Sequence, residues 1–179
     1  MKVQKTVLLK NGKQATLRNA EGTDAAAFQA YFAQCHGETE NLLTYPDESN
    51  GDFEAGLRRR AESASDVEIL AIVDDKIVGS AGIGMIRDRD KTRHRADFGI
   101  SVLAAYWGLG IGSALTAACL DCARKAGYLQ VELEAVSENE SALNLYRKFG
   151  FVEYGRNPKG FRTRTGRWQT LVLMRLELI

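Results

Sequence analysis

The chain has 179 residues, of which 45% are hydrophobic and 26% charged, and its formal net charge is +1. That length and composition suit one globular domain with a core large enough to need no disulfide or metal staple. A near-zero charge lacks the long-range attraction that a nucleic acid or an anionic membrane surface requires, so neither is expected as a partner.

Three cysteines and two histidines are too few and too scattered for a structural zinc site, and no metal is expected. No apolar run approaches the roughly 20 residues that span a bilayer. Met1–Leu9 lacks the apolar core of a signal peptide. An odd cysteine count with no disulfide framework fits a reducing compartment. The protein is expected to be soluble and cytoplasmic.

In chain order, Thr6–Leu9 and Gln14–Arg18 are β-prone runs around Asn11-Gly12, a hairpin signal. Thr23 stands where it can N-cap a helix, with Asp24 in the first turn. Phe28, Tyr31, Phe32 and Cys35 follow at helical spacing until Gly37. Glu38–Asn50, with Pro46, Asp47, Ser49 and Asn50, reads as a loop. A weaker helix covers about Asp52–Ala64. Glu68–Val73 and Ile77–Arg87 are strands joined by Asp74-Asp75-Lys76, the second rich in glycine (Gly79, Gly82, Gly84). A charged turn, Asp88–Thr92, leads to the strand Arg95–Leu103.

Gly108, Gly110 and Gly112 precede a helix with Ile111, Leu115, Ala118, Cys119, Cys122 and Ala126 on one stripe, ended by Gly127. Cys119 and Cys122 form a CxxC, but inside an amphipathic helix with no second pair they read first as core packing. Gln130–Val136 is a strand. Asn139–Phe149 is a helix with Ala142, Leu145, Tyr146 and Phe149 inward, stopped by Gly150. Strands near Phe151–Arg156 and Trp168–Leu178 flank a basic loop. The order ββααβββαβαββ predicts an α/β (α+β) fold with a mixed sheet, as a single domain over 1–179.

The turn Tyr106-Trp107-Gly108-Leu109-Gly110-Ile111-Gly112 is the most informative local feature. A helix start leaves its first N–H groups unpaired and carries positive potential. Glycines let the backbone come close to a phosphate and adopt positive φ. The spacing is not GxGxxG and no GK[ST] follows, which argues against dinucleotide and Walker loops. A tight turn without a ligand is the plain alternative.

The segment Asn139-Glu140-Ser141-Ala142-Leu143-Asn144-Leu145-Tyr146-Arg147-Lys148-Phe149-Gly150-Phe151 resembles the pattern N-x-x-A-x-x-L-Y-x-K-x-G-F of GNAT acetyltransferases. The glycine turn resembles their pyrophosphate motif, [QR]-x-x-G-x-[GA]. The likeness covers about Ala15 to Leu178. It implies a mixed, mostly antiparallel central sheet flanked by helices, splayed between the fourth and fifth core strands. These are Ala96–Leu103 and Gln130–Val136, which should part after a β-bulge.

The same resemblance implies acetyl-CoA as co-substrate. Its pantetheine arm would pair with backbone around Ile100 and Val102. Its pyrophosphate would lie on the amides of Gly108, Gly110, Ile111, Gly112 and Ser113, with Trp107 and Asn139 beside it. The first motif position, usually Gln or Arg, is Trp107, which offers one neutral donor and no charge. Trp there is similar to the ribosomal-protein alanine N-acetyltransferase-like branch.

The implied reaction is direct attack of a primary amine on the thioester in a ternary complex. Tyr146 matches the family tyrosine near the CoA sulfur and can donate a proton to the departing thiolate. Glu134, five residues before Asn139, and Asp97, early on the splayed strand, are the candidate bases; Glu132 shares a face with Glu134. A peptide α-amine, with a pKa of roughly 7.7–8.0, needs a base far less than a lysine at roughly 10.4. Cys35 beside His36 is a weak nucleophile pair, because adjacent helical residues point apart. A catalytically silent acyl-CoA-binding module is the alternative.

Between Arg18 and Arg58 there is no Lys or Arg, but there are Glu21, Asp24, Glu38, Glu40, Asp47, Glu48, Asp52 and Glu54. An acidic wall there would draw a cationic amine, whether a small molecule or a peptide end. Lys159, Arg162, Arg164 and Arg167 form a basic arm that can meet an acceptor carboxylate, a partner subunit or solvent. Tyr45 and Phe53 can line an apolar site or pack in the core. The apolar strand Trp168–Leu178 makes a homodimer possible.

Overall fold

A computed structural model describes residues 1–48 and 51–178; Ser49 and Asn50, the end of the expected loop, lie outside the described residues. The elements are β1 (Gln4–Leu8), β2 (Gln14–Asn19), α1 (Ala25–Gly37), α2 (Phe53–Glu62), β3 (Val67–Val73), β4 (Lys76–Met85), β5 (Arg95–Val102), α3 (Ile111–Lys125), β6 (Gln130–Val136), α4 (Glu140–Lys148), β7 (Val152–Arg162) and β8 (Trp168–Glu177). The strands form one sheet in the order β1-β2-β3-β4-β5-β6-β8-β7. Every neighbouring pair is antiparallel except β5–β6, which is parallel.

Local chemistry accounts for most boundaries. Gly12, with φ +81°, turns the first hairpin, and Asp74 and Asp75 turn the β3–β4 hairpin in the left-handed region. Asp52 caps α2, accepting from the Ala55 N–H at 3.0 Å. Gly127 and Gly150, at φ +82° and +92°, follow α3 and α4 as left-handed stops. The glycines of β4 serve packing: a Cβ at Gly79 would meet Ile111 and Leu115 of α3 at 3.2 Å, and one at Gly82 would strike the Arg60 guanidinium.

α3 and α4 cover one face of the sheet and α1 and α2 the other. Ile69, Leu70, Ile83, Ile111, Leu115 and Leu143 are among the fully buried side chains. Leu143, which the inward set for α4 omitted, is its most buried residue. Phe53 packs against Phe28 and Phe32 at ring separations of 5.6 and 5.5 Å. No described helix is long and apolar enough to cross a membrane.

The structure corrects four expectations. Thr23 does not cap α1: a short 3-10 turn, Gly22–Asp24, precedes it, and Asp24 instead accepts from the Glu21 N–H at 2.8 Å and grips Arg18. The basic loop is largely strand, because β7 runs on to Arg162. Register shifts between Asn157 and Phe161 absorb Pro158 and Gly160, as an edge strand allows. β8 lies inside the sheet, bonded to β6 and β7, so its apolar sequence reflects burial and it offers no free edge to a second subunit.

The fourth correction concerns the splay. β5 and β6 pair only from Arg95↔Gln130 to Asp97↔Glu132 and then part. The expected bulge in β5 is absent, since its register with β4 runs unbroken from Gly79↔Val102 to Met85↔Ala96. Each strand instead follows its long antiparallel partner, β4 or β8, and sheet twist separates them beyond the short parallel contact.

Candidate active site

Two hydrogen bonds set the direction of the β5 backbone: Leu103 N–H to Val78 O (2.9 Å) and Ile86 N–H to Arg95 O (3.2 Å). Odd-numbered residues of β5 therefore bond to β4. Phe98, Ile100 and Val102 turn their backbone groups toward β6. Beyond Asp97 no strand answers them, so Ile100 and Val102 present polar backbone to an open gap. Such an edge accepts an extended ligand. One of its groups is already engaged, since the Trp107 indole N–H donates to Val102 O at 2.6 Å.

The strand leads into a short 3-10 turn, Ala104–Tyr106, and then into the glycine turn. Gly108 and Gly110 sit at φ +75° and +101°, where L side chains are strained. The first bond of α3 runs from Ala114 N–H to Gly110 O at 3.0 Å. The amides of Ile111, Gly112 and Ser113 precede it and lie at the positive end of the helix dipole. Lys10 N–H donates to Leu109 O at 3.2 Å, so the β1–β2 hairpin braces the turn. These features fit a diphosphate: bare donors, no Cβ at two left-handed positions, and no carboxylate among residues 103–114.

Two motif residues have a structural task visible here. A Cβ at Gly112 would lie 3.2 Å from Leu145, so this glycine lets α4 approach α3. Asn139 caps α4, its side-chain oxygen accepting from the Ala142 N–H at 3.2 Å. The Asn of the second motif thus sets where α4 begins, and with it the position of Tyr146.

Tyr146 packs edge-on against Phe98 (6.2 Å) and Phe151 (5.9 Å), on the α3/α4 face. Burial pushes its phenol well above the usual tyrosine range. Its hydroxyl bonds to no protein group, yet no fully buried side-chain polar atom lacks a partner among the described residues. The hydroxyl therefore keeps some contact with solvent while the ring is held in the core.

The carboxylates lie on the opposite face. Asp97 and Glu132 are paired across the last β5–β6 rung, and Glu134 follows two residues on. Glu132 is 8% exposed and bound two-pronged by Arg95, whose charge and hydrogen bonds hold its carboxyl below the usual range. It clamps the vertex of the splay and is committed there. Asp97 has no partner cation within ion-pair distance among the described residues. Loss of solvent around it, and then the charge of Glu132, raise its carboxyl above the usual range. Glu134 is exposed and unpaired among the described residues. Tyr31 secures α1 on this face, its hydroxyl within 2.8 Å of Ser101 O and 2.7 Å of Ser101 Oγ.

The acidic wall is mostly occupied by internal partners. Asp24 holds Arg18, Glu38 accepts from Ala104 N–H (2.7 Å), Glu40 meets Arg167 (3.1 Å) and Asp47 meets Arg164 (2.7 Å). The basic arm meets the acidic loop. Tyr45 joins the contact, with the Arg164 guanidinium 4.1 Å from its ring centre. Neither side signals these partners in sequence, because they lie more than a hundred residues apart. Cys35, Cys119 and Cys122 are buried, and burial pushes each thiol up. No group of three or more His, Cys, Asp or Glu side chains is placed to hold a metal among the described residues.

A splayed sheet that leads an extended edge into a helix-capped glycine turn defines a carrier-binding transferase fold. Residues 27–151 match the profile of the acetyltransferase (GNAT) family, and the chain belongs to it. It is an acetyl-CoA-dependent N-acetyltransferase. It is 28% identical over 150 residues to the L-amino acid N-acetyltransferase of Escherichia coli, covering 82% of this chain and 88% of that one. It is 26% identical over 165 residues to an L-methionine sulfoximine/L-methionine sulfone acetyltransferase of Pseudomonas aeruginosa, covering 92% and 95%. The solved structure of a GNAT-family acetyltransferase from Streptococcus pneumoniae superposes with a TM-score of 0.86 at 28% identity, covering 91% of this chain and 99% of that one.

Proposed function

We propose that this enzyme acetylates the amine of a small amino acid by direct attack in a ternary complex. The observation that supports the reading is the β5–β6 gap, with Tyr146 on its α3/α4 side and Asp97 and Glu134, without ion-pair partners among the described residues, on the other. Two relatives that match over most of their length are named for action on amino acids or their analogues.

Acetyl-CoA supplies an acetyl group already activated as a thioester. Ile100, and the N–H of Val102, are free to pair with its extended arm, and the amides of Ile111, Gly112 and Ser113 to neutralise its diphosphate. Gly108 and Gly110 keep that approach clear. Tyr146 stays a phenol at any working pH and donates a proton to the departing thiolate. Glu134, or Asp97 through water, accepts the proton that the incoming ammonium must lose. Asp97, with its raised proton affinity, is suited to that exchange. Three buried thiols offer no thiolate for a covalent route, and as free cysteines they support a cytoplasmic place of work.

A second reading, acetylation of a peptide N-terminus, draws on Trp107 and on the five-residue spacing from Glu134 to Asn139, both similar to the ribosomal-protein alanine branch. Thiol release from acetyl-CoA across free L-amino acids, their sulfone analogues, short peptides and polyamines tests the proposal. Turnover concentrated on a free amino acid is the expected result. Tight CoA binding by calorimetry with no turnover on any amine would overturn it in favour of a silent binding module.

A further inference from the structure

Residues 38–48 run from one wall of the splay to the other. At their start the Glu38 carboxylate accepts from the N–H of Ala104, just past the C-terminal end of β5 (2.7 Å). Two residues on, Glu40 pairs with Arg167 (3.1 Å), and its carbonyl accepts from Gln169 Nε2 (3.2 Å). Those partners stand at the other wall. Val136, the last residue of β6, pairs with Leu171, Ser137 N–H donates to Thr170 O, and Arg167 approaches Glu138 at 3.8 Å. β5 and β6 touch at their beginnings and gape at their ends. The stretch Glu38–Glu40 therefore spans the open ends of the V. It continues from α1, which lies on the face of Ser101 and the candidate bases, opposite Tyr146.

A second fastening follows. Arg164 N–H donates to the Tyr45 hydroxyl (3.0 Å), its guanidinium meets Asp47 (2.7 Å) and it lies 4.1 Å from the Tyr45 ring centre. One exposed ion pair contributes little by itself. Here two ion pairs, a cation–π contact and three hydrogen bonds that use a backbone group hold the same short segment.

We propose that this strap determines acceptor size: fastened by Glu40–Arg167 and Asp47–Arg164, it admits small amines and excludes polypeptide N-termini. The inference rests on the amino-acid reading above. A free amino acid ends close to its own amine, so it need not pass the strap. A peptide must run its second and later residues out through the mouth that Glu38–Glu40 crosses.

The test compares kcat/KM for the preferred free amino acid with kcat/KM for a short peptide bearing that residue at its N-terminus. Wild-type enzyme should prefer the free amino acid. Arg164→Ala/Arg167→Ala should shrink that preference by about tenfold or more, chiefly by raising the peptide value. Exchanging the pair, Glu40→Arg with Arg167→Glu, should restore it. Raising salt on the wild-type protein from about 0.05 to 0.5 M should move the ratio in the same direction, because the fastenings are exposed and ionic. The salt series also serves if the double variant fails to fold. An unchanged ratio in both series, or a wild type that uses peptides as well as free amino acids, overturns the strap. Absence of turnover on every amine overturns the amino-acid reading, and the strap with it. A normal amino-acid activity with an unmoved ratio removes the strap alone.

Discussion

The indole N–H of Trp107 and the main-chain carbonyl of Val102 are joined by a 2.6 Å hydrogen bond. It ties the start of the glycine turn back to the end of the splayed strand. The family motif usually has Gln or Arg at this position; here the side chain turns to protein. The indole is 56% exposed, so little besides this bond holds it. Trp107→Phe keeps the ring and removes the donor. A net hydrogen bond of about 0.5–1.5 kcal/mol corresponds to acetyl-CoA binding weakened roughly 2- to 10-fold. Calorimetry measures it, and kcat at saturation should hardly change. An unaltered dissociation constant would show that the bond does not order the turn.

Gly110 tests the turn itself. Its φ is +101° and, its chain neighbours aside, no atom of the described residues lies within 4 Å of a Cβ built there. Gly110→Val should therefore cost about 1–3 kcal/mol in backbone strain and project a side chain toward the ligand. The expected result is a folded protein with a lowered melting temperature and no measurable acetyl-CoA binding. Retained affinity would place the diphosphate elsewhere.

Tyr146→Phe preserves the packing against Phe98 and Phe151. Only the hydroxyl, which bonds to no protein group among the described residues, is lost. kcat should fall roughly 10²-fold, the scale of one general-acid contribution, with acetyl-CoA affinity and melting temperature near wild type. Equal kcat in single-turnover and steady-state assays of both proteins would remove Tyr146 from the chemistry.

The Arg95–Glu132 clamp gives a pH signature. Arg95 lowers the Glu132 carboxyl in the folded state. A folded pKa below the unfolded one means that the stability is present above the unfolded value, roughly 4.3. It is lost as pH falls through that value toward the folded one. The stability difference between wild type and Glu132→Gln, from urea titrations, should be constant above about pH 5.5 and should shrink below about pH 4. A difference that grows on acidification would contradict the clamp.

The element order was legible from periodicity and turn chemistry, because each depends on neighbours in the chain. Gly127, Gly150 and Asp52 end or cap helices wherever those helices pack. Thr23 failed because Asp24 had a stronger partner in Arg18. The reach of β7 across Pro158 was hidden because a strand continues when its neighbour does, and β8 supplied that neighbour.

By itself the sequence determined the glycine turn, the helix that follows it and the placement of Tyr146 on an inward stripe, since φ preference and helical spacing are properties of a few adjacent residues. Only the tertiary structure decided where β5 and β6 part, that Trp107 bonds to Val102, and that the acidic loop and the basic arm hold each other. Those contacts depend on strand register and on which edges become neighbours. Pairs such as Glu40 and Arg167 are 127 residues apart, and composition carries no record of that meeting.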